Sequence, residues 1–184
     1  IKTILLPELI KHRQDTKKLN CWSAAASTGQ ESYSLAMLLL EQGLANWNIQ
    51  ILGTDLTTEV LDRARAARYM QIEVNRGLPA THLVKYFLRK GADWYLKDNV
   101  RQMVRFEQFD LRQKMRTFGP FDLVFCRNVL VYFDTPTRQK ILTEIHGTLF
   151  RGGWLMLGTA EVTRGLDHLF ERKSVGQSSY YVAK

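Results

Sequence analysis

No apolar run in the 184 residues approaches the roughly 20 needed to cross a bilayer. No charged segment leading into a cleavable apolar stretch opens the chain either, so we expect a soluble, cytoplasmic protein without membrane insertion. Cysteine is scarce: Cys21 and Cys126 are the only two, and both sit in strand-like apolar runs. That argues against a secreted disulfide framework and for two buried, reduced thiols. Acidic residues are outnumbered, 18 Asp and Glu against 26 Lys and Arg, for a net charge of +8. The surplus favours an acidic partner. The basic residues form no tract interleaved with aromatics, so nucleic-acid binding lacks its usual signature. Internal repeats and low-complexity segments are absent. So is an initiating Met: "IKTILLPELIKHR" reads as a helix already under way, and we expect a preceding segment in the parent protein. With 45% hydrophobic residues, the length suits one domain with a sizeable core and is too short for two.

What is present is an alternation. After the opening helix, roughly residues 3–13, "LNCWSA" reads as a strand and "ESYSLAMLLLEQG" as a helix ended by Gly43. "NIQILGTD" is a second strand, and "TTEVLDRARAARY" carries the helical period with Thr57 or Thr58 as N-cap. "MVRFEQFDL" and "FDLVFCRNVLVYF" are strand-like. "TPTRQKILTEIHGTLFRGG" reads as a helix with Pro136 in its first turn and a Gly-Gly exit, "WLMLGTAE" as a buried strand, and the tail as a hairpin around Gly176. The sum is an α/β, doubly wound, Rossmann-like sheet closed by an antiparallel C-terminal hairpin, the pattern of class I methyltransferases. Residues 69–103 break the alternation. They hold a short amphipathic piece, "THLVKYFL", and then apolar residues spaced like short strands around Gly91, Asp93 and Asp98-Asn99. Such a length exceeds an ordinary loop, so we expect an inserted small β-subdomain with a docking role within one catalytic domain, 1–184.

The small-residue run "AAASTG" between the first strand and its helix leaves room for a ligand close to the backbone. The second strand ends in Asp55, where such folds hold ribose hydroxyls; a helix N-cap is the plainer alternative. Only Gly29 stands where a dinucleotide fingerprint needs three glycines, which disfavours a pyrophosphate cradle. S-adenosylmethionine, an adenosine joined to an amino acid through a sulfonium, needs the close approach and the carboxylate but no phosphate nest.

Four segments then carry a specific resemblance. "WSAAASTGQESYSLAMLL", "ILGTDLTTEVLDRARAARY", "FDLVFCRNVLVYFD" and "LFRGGWLMLGTAE" resemble, in order and spacing across residues 22–161, the chemotaxis receptor glutamate O-methyltransferases of the CheR family. The family's usual S-T-G-E-E-P-Y-S is here S-T-G-Gln30-Glu31-Ser32-Tyr33-Ser34, keeping the second acid. The resemblance implies cofactor contacts at Ala24, Ala25, Glu31, Asp55, Asp110, Leu111, Cys126, Arg127 and Asn128, with Arg127 and Tyr132 next to the chemistry; it implies no metal. Ala24 and Ala25 would face the methionine moiety, Glu31 the amino-acid end, Asp55 the ribose. Asp110 would face the adenine amino group where the family usually has Asn, or be no more than a strand-end turn residue. Without the resemblance, Arg127 and Asn128 would read as a solvated strand end and Tyr132 as core.

The resemblance further implies an N-terminal helical domain, with an Asn-x-Thr-x-Phe-Phe-Arg linker, ahead of Ile1. The implied substrate is the cytoplasmic helical domain of chemoreceptors. The compact hairpin points to the type that does not dock a receptor pentapeptide. Trp94, Tyr95 and Met103 read as the small core of the insertion sooner than as a docking patch. Two other functions fit the residues: a methyltransferase of the same build acting on another acidic protein or a small molecule, and a module that binds S-adenosylmethionine or S-adenosylhomocysteine without turnover.

Overall fold

The structure is a computed structural model; residues 5–115, 117–175 and 178–184 are described. The chain opens with α1 (Leu5–Arg13), β1 (Lys18–Ala24), α2 (Gln30–Glu41), β2 (Asn48–Asp55) and α3 (Thr58–Ala66). A small unit follows: β3 (Arg68–Met70), α4 (Gln71–Val74), α5 (Ala80–Tyr86), β4 (Phe87–Lys90), β5 (Asp93–Leu96) and α6 (Asp98–Arg101). The main fold resumes with β6 (Val104–Gln108), β7 (Phe121–Cys126), a 3-10 turn at Leu130–Tyr132, α7 (Thr135–Thr148), β8 (Leu149–Leu157), β9 (Phe170–Val175) and β10 (Ser178–Ala183).

Seven strands form the main sheet in the order β6-β2-β1-β7-β8-β10-β9. The strands from β6 to β8 are parallel, and β10 runs antiparallel to both of its neighbours. Strand order reverses between β1 and β7, and in open α/β sheets the crevice at that reversal is where ligands bind. Both faces are covered, which is why the strands read as nearly unbroken apolar runs. In β7, all six residues of "FDLVFC" are buried. Leu19, Cys21, Leu123 and Phe125 pack into the core that also holds α1, α2 and α3, while Trp22, Ala24, Val124 and Cys126 pack into the core that holds α7. The period of two along each strand thus feeds two separate cores. Both thiols are fully buried, and burial pushes each well above its usual range. Among the described residues, no helix is long and apolar enough to cross a membrane.

Asp122 is the polar exception inside β7. It accepts from the Asn20 N–H at 2.8 Å and from the Arg13 guanidinium, so the buried charge is both hydrogen-bonded and paired, and α1 is tied to the sheet.

Three local readings need correction. The helix expected over residues 135–153 stops at Thr148, and Leu149 already lies in β8. Phe121 pairs with Leu149 but Leu123 with Trp154, so residues 150–153 bulge out of the ladder; Gly152 supplies the positive φ of 80° there. In the insertion, Asp93 is a ladder residue opposite Lys90, and residues 98–101 form one helical turn. Three strands, ordered β3-β5-β4, make the small antiparallel sheet. Trp94 and Met103 pack against the main core, whereas Met70, Ile72, Val84 and Leu88 are the exposed apolar residues of this region. The tail forms the expected hairpin, pairing Val175 with Ser178 through Phe170 with Ala183; the turn read at Gly176 lies outside the described residues.

The small unit is fastened to the end of α2 by Glu41. Its carboxylate accepts from Lys85 Nζ at 2.6 Å and from the Tyr86 hydroxyl. Those two hydrogen bonds hold the Glu41 carboxyl down at about 2. A depressed folded-state pKa means the contribution is complete above the ordinary carboxylate range and is lost as pH falls toward 2. Amide protection across residues 80–96, taken relative to the intrinsic exchange rate at each pH, is therefore expected to fall on acidification through that interval. Glu41→Gln should show the lower protection already at neutral pH; identical profiles would show that Glu41 does not fasten the unit.

Candidate active site

The site lies at the carboxyl ends of β1, β2 and β7, where the strand order reverses. After β1 the chain makes a tight loop, residues 25–29, in which Ala25, Ser27 and Gly29 all have positive φ, at 73°, 50° and 90°. Left-handed backbone costs a residue with a Cβ about 1–2 kcal/mol, so neighbours must hold it. The Ala25 and Ala26 N–H groups both donate to the Thr54 carbonyl, at 2.9 and 2.8 Å, and the Ser27 N–H donates to Asp55 Oδ2 at 2.8 Å. From the small sheet, the Tyr69 hydroxyl donates to the Thr28 carbonyl at 2.9 Å. The small side chains of the run are what allow the backbone to turn this way beside an open space.

That space is a cavity of about 340 Å³. Ala25, Asp55, Asp110, Leu111 and Tyr132, five of the residues expected at the site, line it together. Asp55 Oδ1 accepts from the Leu56 N–H at 2.8 Å and Oδ2 from Ser27. Each oxygen keeps acceptor capacity, which suits a vicinal diol. The N-cap of α3 is Thr57, not Asp55. Asp110 is differently placed: the Arg112 guanidinium grips both its oxygens at 2.6–3.0 Å, and the Arg112 N–H adds a bond at 2.9 Å. Those bonds hold the Asp110 carboxyl below its usual range. An amino group arriving there has to compete with Arg112.

Glu31 and Arg127, also expected at the site, do not line the cavity and pair with each other instead. Ser23 Oγ donates to Glu31 Oε1 at 2.9 Å, and Arg127 donates to Glu31 Oε2 at 3.0 Å, so α2, β1 and the end of β7 meet across the reversal. Ala24 and Cys126 are fully buried in the α7 core, backbone included, and neither lines the cavity. Tyr132 is 82% exposed on its 3-10 turn. It is a rim residue, not a core one.

Sequence reasoning assigned no role to Glu161, although it closes the quoted "GTAE". Its buried carboxylate accepts four backbone N–H groups: Gly158 at 2.7 Å, Asn128 at 2.8 Å, Leu130 at 2.8 Å and Val129 at 3.0 Å. Asn128 has φ 58°, and the three consecutive N–H groups of residues 128–130 curl around one side chain. Gly158 is required by space, since a Cβ there would lie 2.5 Å from Asn128 Oδ1 and 2.6 Å from Glu161 Oε2. The signal available in sequence was an acidic residue just past a buried strand, which on its own says nothing about its partners. Ser23 and Ser27 were also missed. Replacing Glu161 by Gln turns an acceptor of four donors into a group that is itself half donor. The expected loss is about 2–4 kcal/mol of stability, read by chemical denaturation; a variant as stable as the parent would remove the residue from this role.

The family model described as "CheR methyltransferase, SAM binding domain" matches residues 1–178. Chemotaxis protein methyltransferase 1 of Pseudomonas aeruginosa is 39% identical over 190 positions, covering 100% of this chain and 69% of that protein. Chemotaxis protein methyltransferase Cher2 of Pseudomonas putida is 36% identical, with the same two coverages. Chemotaxis protein methyltransferase 1 of Vibrio cholerae is 38% identical over 91% of this chain and 62% of its own length. A match across nearly the whole chain, falling on a sheet that reverses where its carboxylates gather, means that the chain belongs to the CheR methyltransferase family and carries its S-adenosylmethionine-binding domain.

Proposed function

We propose that the chain transfers a methyl group from S-adenosylmethionine to glutamate side chains in the cytoplasmic helical domain of chemoreceptors. Two kinds of support carry this: relatives named chemotaxis protein methyltransferase, and a cavity at the strand reversal bearing Asp55, Asp110 and Tyr132. The donor set fits this cofactor. Asp55 would hold the ribose hydroxyls, the backbone at Ala25 would lie along the methionine portion, and Glu31 would face its ammonium. When bound, S-adenosylmethionine supplies a sulfonium methyl that a carboxylate oxygen can take in one displacement, leaving S-adenosylhomocysteine and a methyl ester.

The protein's part is positioning. A glutamate carboxylate has a reference pKa of about 4.3 and is already ionised near neutral pH, so no general base is needed. Water must be excluded and the oxygen aligned. The Tyr132 hydroxyl, on the rim, would orient that carboxylate with a single neutral hydrogen bond. Arg127 has its charge committed to Glu31, which keeps it from clamping the nucleophile and stabilising the ground state. We take the small sheet to work without a receptor pentapeptide, since its hairpin strands are only four residues each.

Titration calorimetry of the chain with S-adenosylmethionine and S-adenosylhomocysteine tests the pocket. Saturable binding is expected, with Asp55→Ala weakening it at least about tenfold, the worth of one hydrogen bond to a charged acceptor. Equal affinity in the variant would overturn the assignment of Asp55. Incorporation of labelled methyl into a purified receptor cytoplasmic fragment, with Tyr132→Phe lowering kcat more than it raises KM, tests the reaction; a wild-type protein that binds cofactor but labels no receptor would overturn the proposal.

A further inference from the structure

A second cavity, about 450 Å³, lies on the other side of the 3-10 turn, between that turn, the first half of α7 and the loop over residues 160–165. The two cavities share a wall. Tyr132 lines the first and its neighbour Val131 lines the second. The second has exposed apolar groups, Val131 and Val162, and two arginines, Arg138 and Arg164. Arg138 donates to the Phe133 carbonyl at 2.7 Å, and among the described residues neither arginine forms an ion pair. The acidic groups nearby are already engaged. Glu161 lines the cavity but spends both oxygens on four N–H groups, and Asp134 caps α7 by accepting from the Thr137 N–H at 2.9 Å. The groove is thus apolar in two places and positive in two, and the one carboxylate in its lining, that of Glu161, is turned to backbone donors.

Resting on the proposed receptor methylation, we infer that this groove docks the anionic helical segment that carries the target glutamate. An acidic helix has one face to bury and carboxylates to pair, and the valines with the arginines match that chemistry. Seating it here sets its next exposed glutamate against Tyr132, at the mouth of the cofactor cavity. Cofactor and substrate then enter from opposite sides of one 3-10 turn, and neither blocks the other.

The test uses the protein with S-adenosylmethionine and a purified cytoplasmic fragment of a chemoreceptor from the same cell. Arg164→Glu and Val162→Asp are each expected to raise KM for the fragment about tenfold or more while leaving kcat and cofactor affinity within about twofold, with Arg164→Lys close to wild type. Rising salt should weaken the wild type more than Arg164→Glu. An unchanged KM in both variants, with the wild type active, overturns the groove and leaves the methylation intact. A wild type that binds cofactor but neither binds nor labels the fragment overturns the methylation and the groove together. Loss of cofactor binding in both variants would mean the residues serve the fold, and would also overturn the inference.

Discussion

One carboxylate, that of Glu161, holds the segment between β7 and the 3-10 turn in place. Residues 128–130 leave β7 with their N–H groups pointing inward, out of reach of any strand or helix partner. Unsatisfied and buried, each would cost about 1–3 kcal/mol. Glu161 takes all three and the Gly158 N–H besides, so the loop after β7 and the loop after β8 are closed on a single group. Arg127, Val129 and Tyr132 sit on the segment so fixed. The places of Val129 and Tyr132 in the cavity wall follow from a side chain that does not itself line that cavity.

The loop after β1 is fixed on a different principle. Its backbone is bent into left-handed conformations at two residues with a Cβ, and the strain is met by acceptors on β2: the Thr54 carbonyl and the Asp55 carboxylate. Asp55 is therefore at once a brace for the loop and an open acceptor in the cavity. The strand pairing behind it, Ala24 opposite Thr54, brings the two together. Strain of this kind is sustained where the surrounding structure over-determines the geometry. Here the small sheet contributes as well, through Tyr69 on the Thr28 carbonyl.

Much of this was legible in the residues themselves. The apolar runs of β1, β2 and β7, the small-residue loop and the acid closing β2 announce a ligand site at a strand end, because all three act over a few neighbouring positions. What escaped depends on distance in sequence. Glu161 meets donors some 30 positions away, and Ser27 meets Asp55 across 28. No local pattern encodes such pairs. The helix ending at Thr148 was misjudged for a related reason: "LFRGG" has no strong preference of its own, and the partner strand β7 draws it into the sheet. Asp110 taught the converse. Its position was plain, but its partner two residues on, Arg112, occupies the acceptor sites that a turn-and-ligand reading leaves open.

Charge is distributed to match these roles. The carboxylates proposed to meet the cofactor each have a fixed donor: Asp55 has two backbone N–H groups, Asp110 has Arg112, and Glu31 has Ser23 and Arg127. A site arranged in this way does little reorganising when a cationic sulfonium arrives, since its negative groups are already oriented. On the other side of the 3-10 turn the balance inverts, with Arg138 and Arg164 free of ion pairs among the described residues. On the proposed reading, a positively charged cofactor and a negatively charged nucleophile would each meet the opposite sign. The turn that Glu161 holds is the boundary between the two fields, and Tyr132, neutral and exposed, stands on it.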